Sequence, residues 1–317
     1  MKVLCIGGIM CDVAFSPVEK IDGLRGGSVV SETFSIHGGG EGNNASMDFA
    51  TLGEEVRLVG RVGADFIGDH LLSELNKKGV DTSSVIRVKE EPTTISVQMI
   101  SGVGARTLAA KRWGANETLA KDDVPDELIE WADHVHVVAA MCLHGFDGEG
   151  SASVFEKAHK LGKTTSMDLN NPRFDGPCFH LYEDALYNCD VFLPSSYELE
   201  RSVGLTDMSE IREFFSKYGI SILGVKRSEL GAYLTDFKEE IYMPSLLEGD
   251  PVDVVGAGDA FSSTFVSAYK RGYCMQDCGA IASAASAHVL STLGCTAGMR
   301  DFETLKAYAA ARGALKI

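Results

Sequence analysis

The sequence predicts an α/β fold: a doubly wound, mainly parallel sheet sandwiched by helices, with a small β-sheet lid. Three observations carry that prediction. First, strand-like runs recur at residues 3–9, 56–62, 134–138, 164–168, 191–193, 220–225 and 231–235, and those at 3–9 and 191–193 are apolar or glycine along their length rather than alternating. Strands of a parallel sheet covered on both faces read this way. Second, helix-like segments at 44–52, 66–78, 151–161 and 198–203 fall between several of these runs. In the second of them Phe66, Ile67, Leu71, Leu72 and Leu75 keep helical spacing. Strand and helix in alternation means crossover units, which generate parallel pairing. Third, two stretches leave the rhythm. Residues 13–37 read as short extended pieces around "DGLRGG". Residues 92–113, "PTTISVQMISGVGARTLAAKRW", read as a β-hairpin about a glycine-containing turn. Long excursions from a compact fold often cover a site, so both are expected in a lid; a surface excursion without a role is the alternative.

The composition is that of an ordinary globular protein: 317 residues, 45% hydrophobic and 23% charged, without repeats or low-complexity linkers. The formal net charge of −16 excludes broad classes of partner. Nucleic-acid binders need a basic footprint, and anionic membranes attract polybasic segments, so neither partner is expected. Small anionic ligands stay open where backbone dipoles or a metal override the global sign. Eight cysteines are present and none forms a CxxC. Cys274 and Cys278 stand four apart with no second pair at zinc-ligand spacing. They read as thiols of a reducing cytosol. The chain opens on the strand-like "KVLCIGG", without a signal-type segment, and no apolar stretch reaches about 18 residues. A soluble cytoplasmic protein is expected.

The chemistry concentrates in "DPVDVVGAGDAFSSTF", residues 250–265. A helix follows Gly258: Phe261, Phe265, Ala268 and Tyr269 share one face, Ser262 and Ser263 another, and Arg271 with Gly272 marks its end. Gly256, Ala257 and Gly258 therefore lie at a helix N-terminus, where backbone N–H groups lack intrahelical partners and carry the positive end of the dipole. Glycines allow a ligand close to those amides, which makes an anion hole without lysine. The stretch lacks the third glycine of a dinucleotide fingerprint and the Gly-Lys-Ser/Thr of a phosphate loop. "CIGGIMCD" lacks that glycine too, which argues against a dinucleotide-dependent dehydrogenase. Asp259 admits two readings. It is a first-turn acid complementing the dipole, or a general base beside the point where charge develops in phosphoryl transfer.

"DVVGAGDAF" resembles the C-terminal signature of the PfkB/ribokinase family of carbohydrate and nucleoside kinases, Asp-Thr-x-Gly-Ala-Gly-Asp, with Val254 where threonine is common. The resemblance spans nearly the whole chain. It implies a single ribokinase-like domain over residues 1–317, with Asp259 as base and the amides of Gly256, Ala257 and Gly258 as anion hole. "GGGEGNNASMDFATLG" resembles the N-terminal signature, with Gly38, Gly39, Asn43 and Ala45 matched to Gly-Gly-x-x-x-Asn-x-Ala. Glycines let backbone touch a polyol, and an amide side chain offers it both a donor and an acceptor. The resemblance assigns Asp12 of "GGIMCD" to the acceptor hydroxyls; alone, it would read as a turn residue.

On the nucleotide side "GVKRSELGAYL" resembles a Lys/Thr-x-Gly-x-x-Gly strand-turn through Lys226 and Gly231, with Ser228 replacing a glycine. "LPSSYELE" resembles Asn-x-x-Glu through Glu198, with Ser195 replacing the asparagine. The family's glutamate organises the water shell of magnesium, an ion that keeps several waters, so Glu198 is implied as an indirect ligand. "AIASAASAHVLS" matches the helix beside adenine, with Ser283 where asparagine is frequent. "STLGCTAG", with the strand near Asp253, resembles a loop that holds a monovalent cation such as K⁺ in some members. "DLNNPR" resembles Asp-x-Asn-x-Arg with one extra residue, matching Asp168 and Asn170 and displacing Arg173. The hairpin resembles the lid strands of sugar-kinase members. By that resemblance Arg106, Lys111 and Arg112 would meet an acidic or phosphorylated sugar or face solvent, and Phe15, Phe34, Met99 and Trp113 would wall a nucleoside base or simply pack the lid.

The resemblance thus implies an ATP- and Mg²⁺-dependent kinase acting on a hydroxymethyl group of a small sugar of ribose, fructose or sugar-acid type. A nucleoside kinase and a non-catalytic sensor on the same scaffold are the alternatives. Extended lid pieces expose edges that a second copy can pair, so a homodimer through the lid is expected.

Overall fold

The strand-like runs do become a buried sheet. In this computed structural model, residues 1–18, 30–100, 106–110, 114–170 and 178–316 are described. The strands are β1 (Lys2–Ile6), β2 (Met10–Val18), β3 (Ser31–Gly39), β4 (Glu55–Val59), β5 (Arg61–Gly63), β6 (Ile86–Val88), β7 (Thr94–Ile100), β8 (Arg106–Ala110), β9 (His134–Ala140), β10 (Thr164–Leu169), β11 (Val191–Phe192), β12 (Ile222–Lys226), β13 (Ala232–Thr235) and β14 (Glu240–Met243). The helices are α1 (Glu41–Thr51), α2 (Phe66–Lys77), α3 (Asp126–Trp131), α4 (Glu149–Lys160), α5 (Ser196–Val203), α6 (Met208–Phe215), α7 (Ala257–Lys270), α8 (Met275–Leu290) and α9 (Phe302–Ala311).

An eight-stranded sheet runs β14-β13-β12-β11-β10-β9-β1-β4. It is parallel from β4 through β12 and antiparallel at the β13 and β14 edge. Successive side chains point to opposite faces, and β1 shows the consequence. Val3 and Cys5 join one apolar core with residues of α1, α7, α8 and α9, while Leu4 and Ile6 join a second with residues of α3, α4 and α6. A four-stranded sheet, β3-β2-β7-β8, stands apart and contains parts of both excursions.

Two expectations shift. The run 56–62 is not one strand. It breaks at Gly60, where a Cβ would lie 2.7 Å from the Gly7 carbonyl oxygen, and β5 leaves to pair with β6. Asp12 lies not just past the first strand but within β2, paired with His37 of β3. The small sheet therefore begins at Met10, three residues before the expected start.

Candidate active site

The turn before α7 is shaped by what packs on it. Gly256 caps the helix at φ 78°, and a Cβ there would stand 2.0 Å from the Cys295 carbonyl oxygen. No L side chain fits that combination of left-handed backbone and backbone contact. Asp253, buried, accepts hydrogen bonds from the amides of Val255 and Gly294, each at 3.1 Å, and ties the turn to the loop after α8. Ser286 of α8 donates to the Ala257 carbonyl oxygen at 2.8 Å. The first-turn amides of α7 are thus presented by a fixed loop.

Asp259 follows in the first turn of α7. Asn44 Nδ2, from the first turn of α1, donates to its Oδ2 at 2.8 Å. Burial raises its pKa well above the usual carboxylate range. The carboxylates of Glu41 and Asp168 push the same way, against Asn44 and Lys226. Asp48, one turn along α1 from Asn44, is fully buried, and among the described residues neither of its carboxylate oxygens has a hydrogen-bond partner. Burial and then the charge of Asp259 raise its pKa in turn.

Across the mouth of the turn lies Lys226, at the end of β12. Its Nζ is 3.5 Å from where a Cβ on Gly258 would sit. The same Nζ donates to Asp168 Oδ2 at 2.5 Å, and Ser262 Oγ donates to that oxygen at 2.6 Å. Glu198 stands nearby, its pKa pushed up to about 7 by burial and Asp168 against the pull of Lys226. It also closes a capping box on α5. Its Oε2 accepts from the Ser195 amide at 2.6 Å, and Ser195 Oγ accepts from its own amide at 3.2 Å. The hydroxyl of Ser195 thus serves the helix cap.

On the opposite side, Asp12 Oδ1 accepts from Ser96 Oγ, and its other oxygen lies 2.1 Å from where a Cβ on Gly39 would be. Gly38 is likewise closed to a side chain by Asn43 Oδ1 at 2.8 Å. Asn43 is buried and donates to Asn44 Oδ1 at 3.2 Å, so Asn44 rather than Asn43 reaches Asp259. Asn170 Nδ2 donates to Glu41 Oε1. Beside them Asn116 Oδ1 accepts from the Ile9 amide at 2.8 Å, and its side chain lies 3.5 Å from where a Cβ on Gly8 would be.

The predicted residues therefore divide. Asp259, Gly256, Ala257, Gly258, Lys226, Asp168 and Glu198 cluster on one side. Asp12, Gly38, Gly39, Asn43 and Asn170 gather about the N-terminus of α1. Asp168, expected among the acceptor residues, faces Lys226 instead. Ser228 is exposed at φ 52°, and Gly231 takes φ 81° where a Cβ would strike the Met243 carbonyl oxygen at 2.0 Å. Ser283 is buried within α8. Arg106 lies in β8, but its side chain falls outside the described residues, as do Lys111, Arg112, Trp113 and Arg173. Sequence reasoning missed Asn44, Glu41, Asp48 and Ser262. A signal was present for two of them. Gly39 and Gly40 stand in the same spacing to Asn44 as Gly38 and Gly39 to Asn43, and Asp48 is the next helical turn.

Residues 1–301 match the pfkB family of carbohydrate kinases. A nucleoside kinase of Methanothermobacter thermautotrophicus is 28% identical over 293 residues, covering 88% of this chain and 86% of its own. A 2-dehydro-3-deoxygluconokinase of Bacillus subtilis is 28% identical over 294 residues, covering 90% and 91%. The structure of Arabidopsis thaliana ribokinase complexed with ribose and ATP superposes with a TM-score of 0.79 at 23% identity, covering 97% of this chain and 98% of that one. Among the described residues, no helix is long and apolar enough to cross a membrane.

Proposed function

Because this chain belongs to the pfkB family of carbohydrate kinases, we propose that it transfers the γ-phosphoryl group of ATP to a hydroxymethyl group of a small sugar, with Asp259 as general base. The observation that supports this best is one arrangement. A carboxylate of raised pKa sits beside the free amides of α7, and Asn44 and Glu41 of α1 face it from the acceptor side. A hydroxyl held by Asp12, Gly39, Asn43 and Asn170 would have its proton drawn by Asp259. Charge on the transferring group would fall on the amides of Gly256, Ala257 and Gly258 and on Lys226. The raised pKa suits the task, because a base works best when its pKa approaches the operating pH.

The donor set fits a hydrated divalent ion. Asp168, Glu198 and Asp259 share one ammonium, Lys226, so the centre holds more carboxylate than cation. Magnesium, when bound with ATP, supplies charge neutralisation across the phosphates, with Glu198 reached through water. Ser195, Ser228, Gly231 and Ser283 would line the nucleotide's path. A monovalent cation near Asp253 would compete with the two amides that its carboxylate accepts. The small sheet serves as a lid, excluding water that would otherwise accept the phosphoryl group. Its edge strand β3 leaves Phe34 and Ile36 exposed, the surface a second copy would cover in a homodimer. The proposal is of a cytoplasmic enzyme.

The test is a panel of ribose, fructose, 2-keto-3-deoxy sugar acids and nucleosides, scored by acceptor-dependent ADP release. Wild-type protein turns over at least one sugar, and Asp259→Asn lowers kcat by roughly 10²–10⁴ while still binding ATP. Comparable rates for the two proteins remove Asp259 from the role of base. Turnover confined to nucleosides moves the acceptor class.

A further inference from the structure

From the geometry of Asp12, His37 and Cys295 we infer a binding site for a soft divalent metal ion, zinc in class, that staples the small sheet to the loop after α8. The three residues come from β2, β3 and the loop following α8, and nothing in the phosphoryl-transfer reading uses His37 or Cys295. One ligand atom from each, a carboxylate oxygen, an imidazole nitrogen and a thiol sulfur, all lie within 4.8 Å of one another. A tetrahedral zinc with bonds of roughly 2.0 Å to nitrogen or oxygen and 2.3 Å to sulfur separates its ligands by about 3.3–3.5 Å. Cys295 Sγ is already 3.7 Å from Asp12 Oδ2, close to that spacing, and the remaining pairs, none beyond 4.8 Å, close on an ion by at most about 1.5 Å.

The surroundings suit the ion as well as the spacing does. Asp12 and Cys295 are 3% and 1% exposed, so the ion would be held with little competition from water. Ser96 Oγ donates to the other oxygen of Asp12 and fixes the carboxylate's rotation, the part an outer-shell partner plays in metal sites. The thiol of Cys295 points at two acceptors, Asp12 Oδ2 at 3.7 Å and the Gly38 carbonyl oxygen at 3.8 Å. Binding exchanges that thiol proton for the metal: an S–Zn bond forms, the S–H bond breaks, and the proton leaves to solvent. Nitrogen, sulfur and one carboxylate oxygen select zinc over magnesium or calcium, which take oxygen ligands.

The location gives the site its consequence. His37 rides on the edge strand of the small sheet, and the Cys295 carbonyl oxygen packs against the Gly256 turn. An ion joining them holds the small sheet down and withdraws Asp12 from the acceptor. Zinc is therefore an inhibitor that the acceptor displaces.

The full-length protein, stripped of metal by a chelator and returned to chelator-free buffer, is titrated with Co²⁺. One equivalent is expected to give a near-ultraviolet thiolate charge-transfer band and intense visible bands of tetrahedral coordination, both bleached by Zn²⁺. Cys295→Ser removes the thiolate band, while Cys274→Ser, at the exposed cysteine, leaves it. His37→Gln, on a partly exposed strand, weakens Co²⁺ binding at least tenfold and guards against misfolding of the cysteine variant. No thiolate band, or one that survives Cys295→Ser, overturns the site. This arm needs no turnover and stays readable if the kinase reading fails. In the kinetic arm Zn²⁺ raises the apparent KM for the acceptor at unchanged kcat. Inhibition that saturating acceptor does not relieve overturns the placement at the acceptor pocket.

Discussion

Replacing Lys226 by methionine probes the centre of the site in the absence of any substrate. Its Nζ lies 2.5 Å from Asp168 Oδ2, with side chains 15% and 3% exposed. At an effective dielectric near 20 that contact is worth roughly 6 kcal/mol of attraction, most of it offset by desolvation of the two charges. Deleting one partner exposes the other side of that balance. Asp168 keeps Ser262 as a donor but loses its cation, and Glu198 remains beside it. Losing one member of a buried pair costs about 3–5 kcal/mol, which in a chain of this size lowers Tm by roughly 5–10 °C. The pH dependence carries the mechanism. Burial opposes the charge of Lys226, yet Asp168 and Glu198 hold its pKa above the usual value. Its stabilisation is therefore fully present through the neutral range and fades only in strong alkali. In the variant, Asp168 is left as a buried carboxylate without a counter-charge, and Glu198, already pushed up to about 7 by burial, loses the pull of Lys226 that held it down. A carboxylate shifted that way loses stability as pH climbs above its unfolded value. The loss measured by urea melts followed by circular dichroism is thus larger at pH 8 than at pH 5.5. Lys226→Met with Asp168→Asn recovers about 2–3 kcal/mol of it. Equal losses at both pH values, with no recovery in the double variant, would show that the lysine acts through its aliphatic stem and refute the electrostatic account.

Two further outcomes follow from the same geometry. Gly256→Ala places a Cβ 2.0 Å from the Cys295 carbonyl oxygen at φ 78° and costs at least about 2 kcal/mol in thermal or chemical melts, with ATP affinity lost alongside; a variant as stable as wild type removes the Cys295 contact as the reason for glycine in this turn. The pKa of Asp259 is raised by burial and then by Glu41, and in the proposed mechanism it works ionised. The acid limb of kcat/KM therefore lies above the ordinary carboxylate range, and Glu41→Gln moves it to lower pH; a limb that stays in place removes Glu41 from contact with the base.

What could be read from the sequence follows from which interactions are local. Parallel strands are buried on both faces, so their apolar runs stand out without any knowledge of neighbours. The Gly256 turn and Asp259 were legible for a similar reason, because a helix N-terminus is built from adjacent residues. The break at Gly60 was not, since a glycine inside "VRLVGRV" signals a close backbone approach without telling that Gly7 makes it or that the chain changes sheet there. Asn43 and Asn44 were inseparable in sequence because three consecutive glycines, Gly38, Gly39 and Gly40, offer two registers for one spacing; the packing of α1 against α7 is what selects Asn44. The pairing of Lys226 with Asp168 was hidden most completely. The two stand 58 residues apart, and only the strand order β10-β11-β12 carries their ends to the same edge of the sheet. A carboxylate that reads as an acceptor ligand by its motif is placed against Lys226 once that order is known. Motif position thus shows which residues gather at the carboxyl ends of the strands, while sheet topology decides which of them neutralise one another and which remain for the substrate.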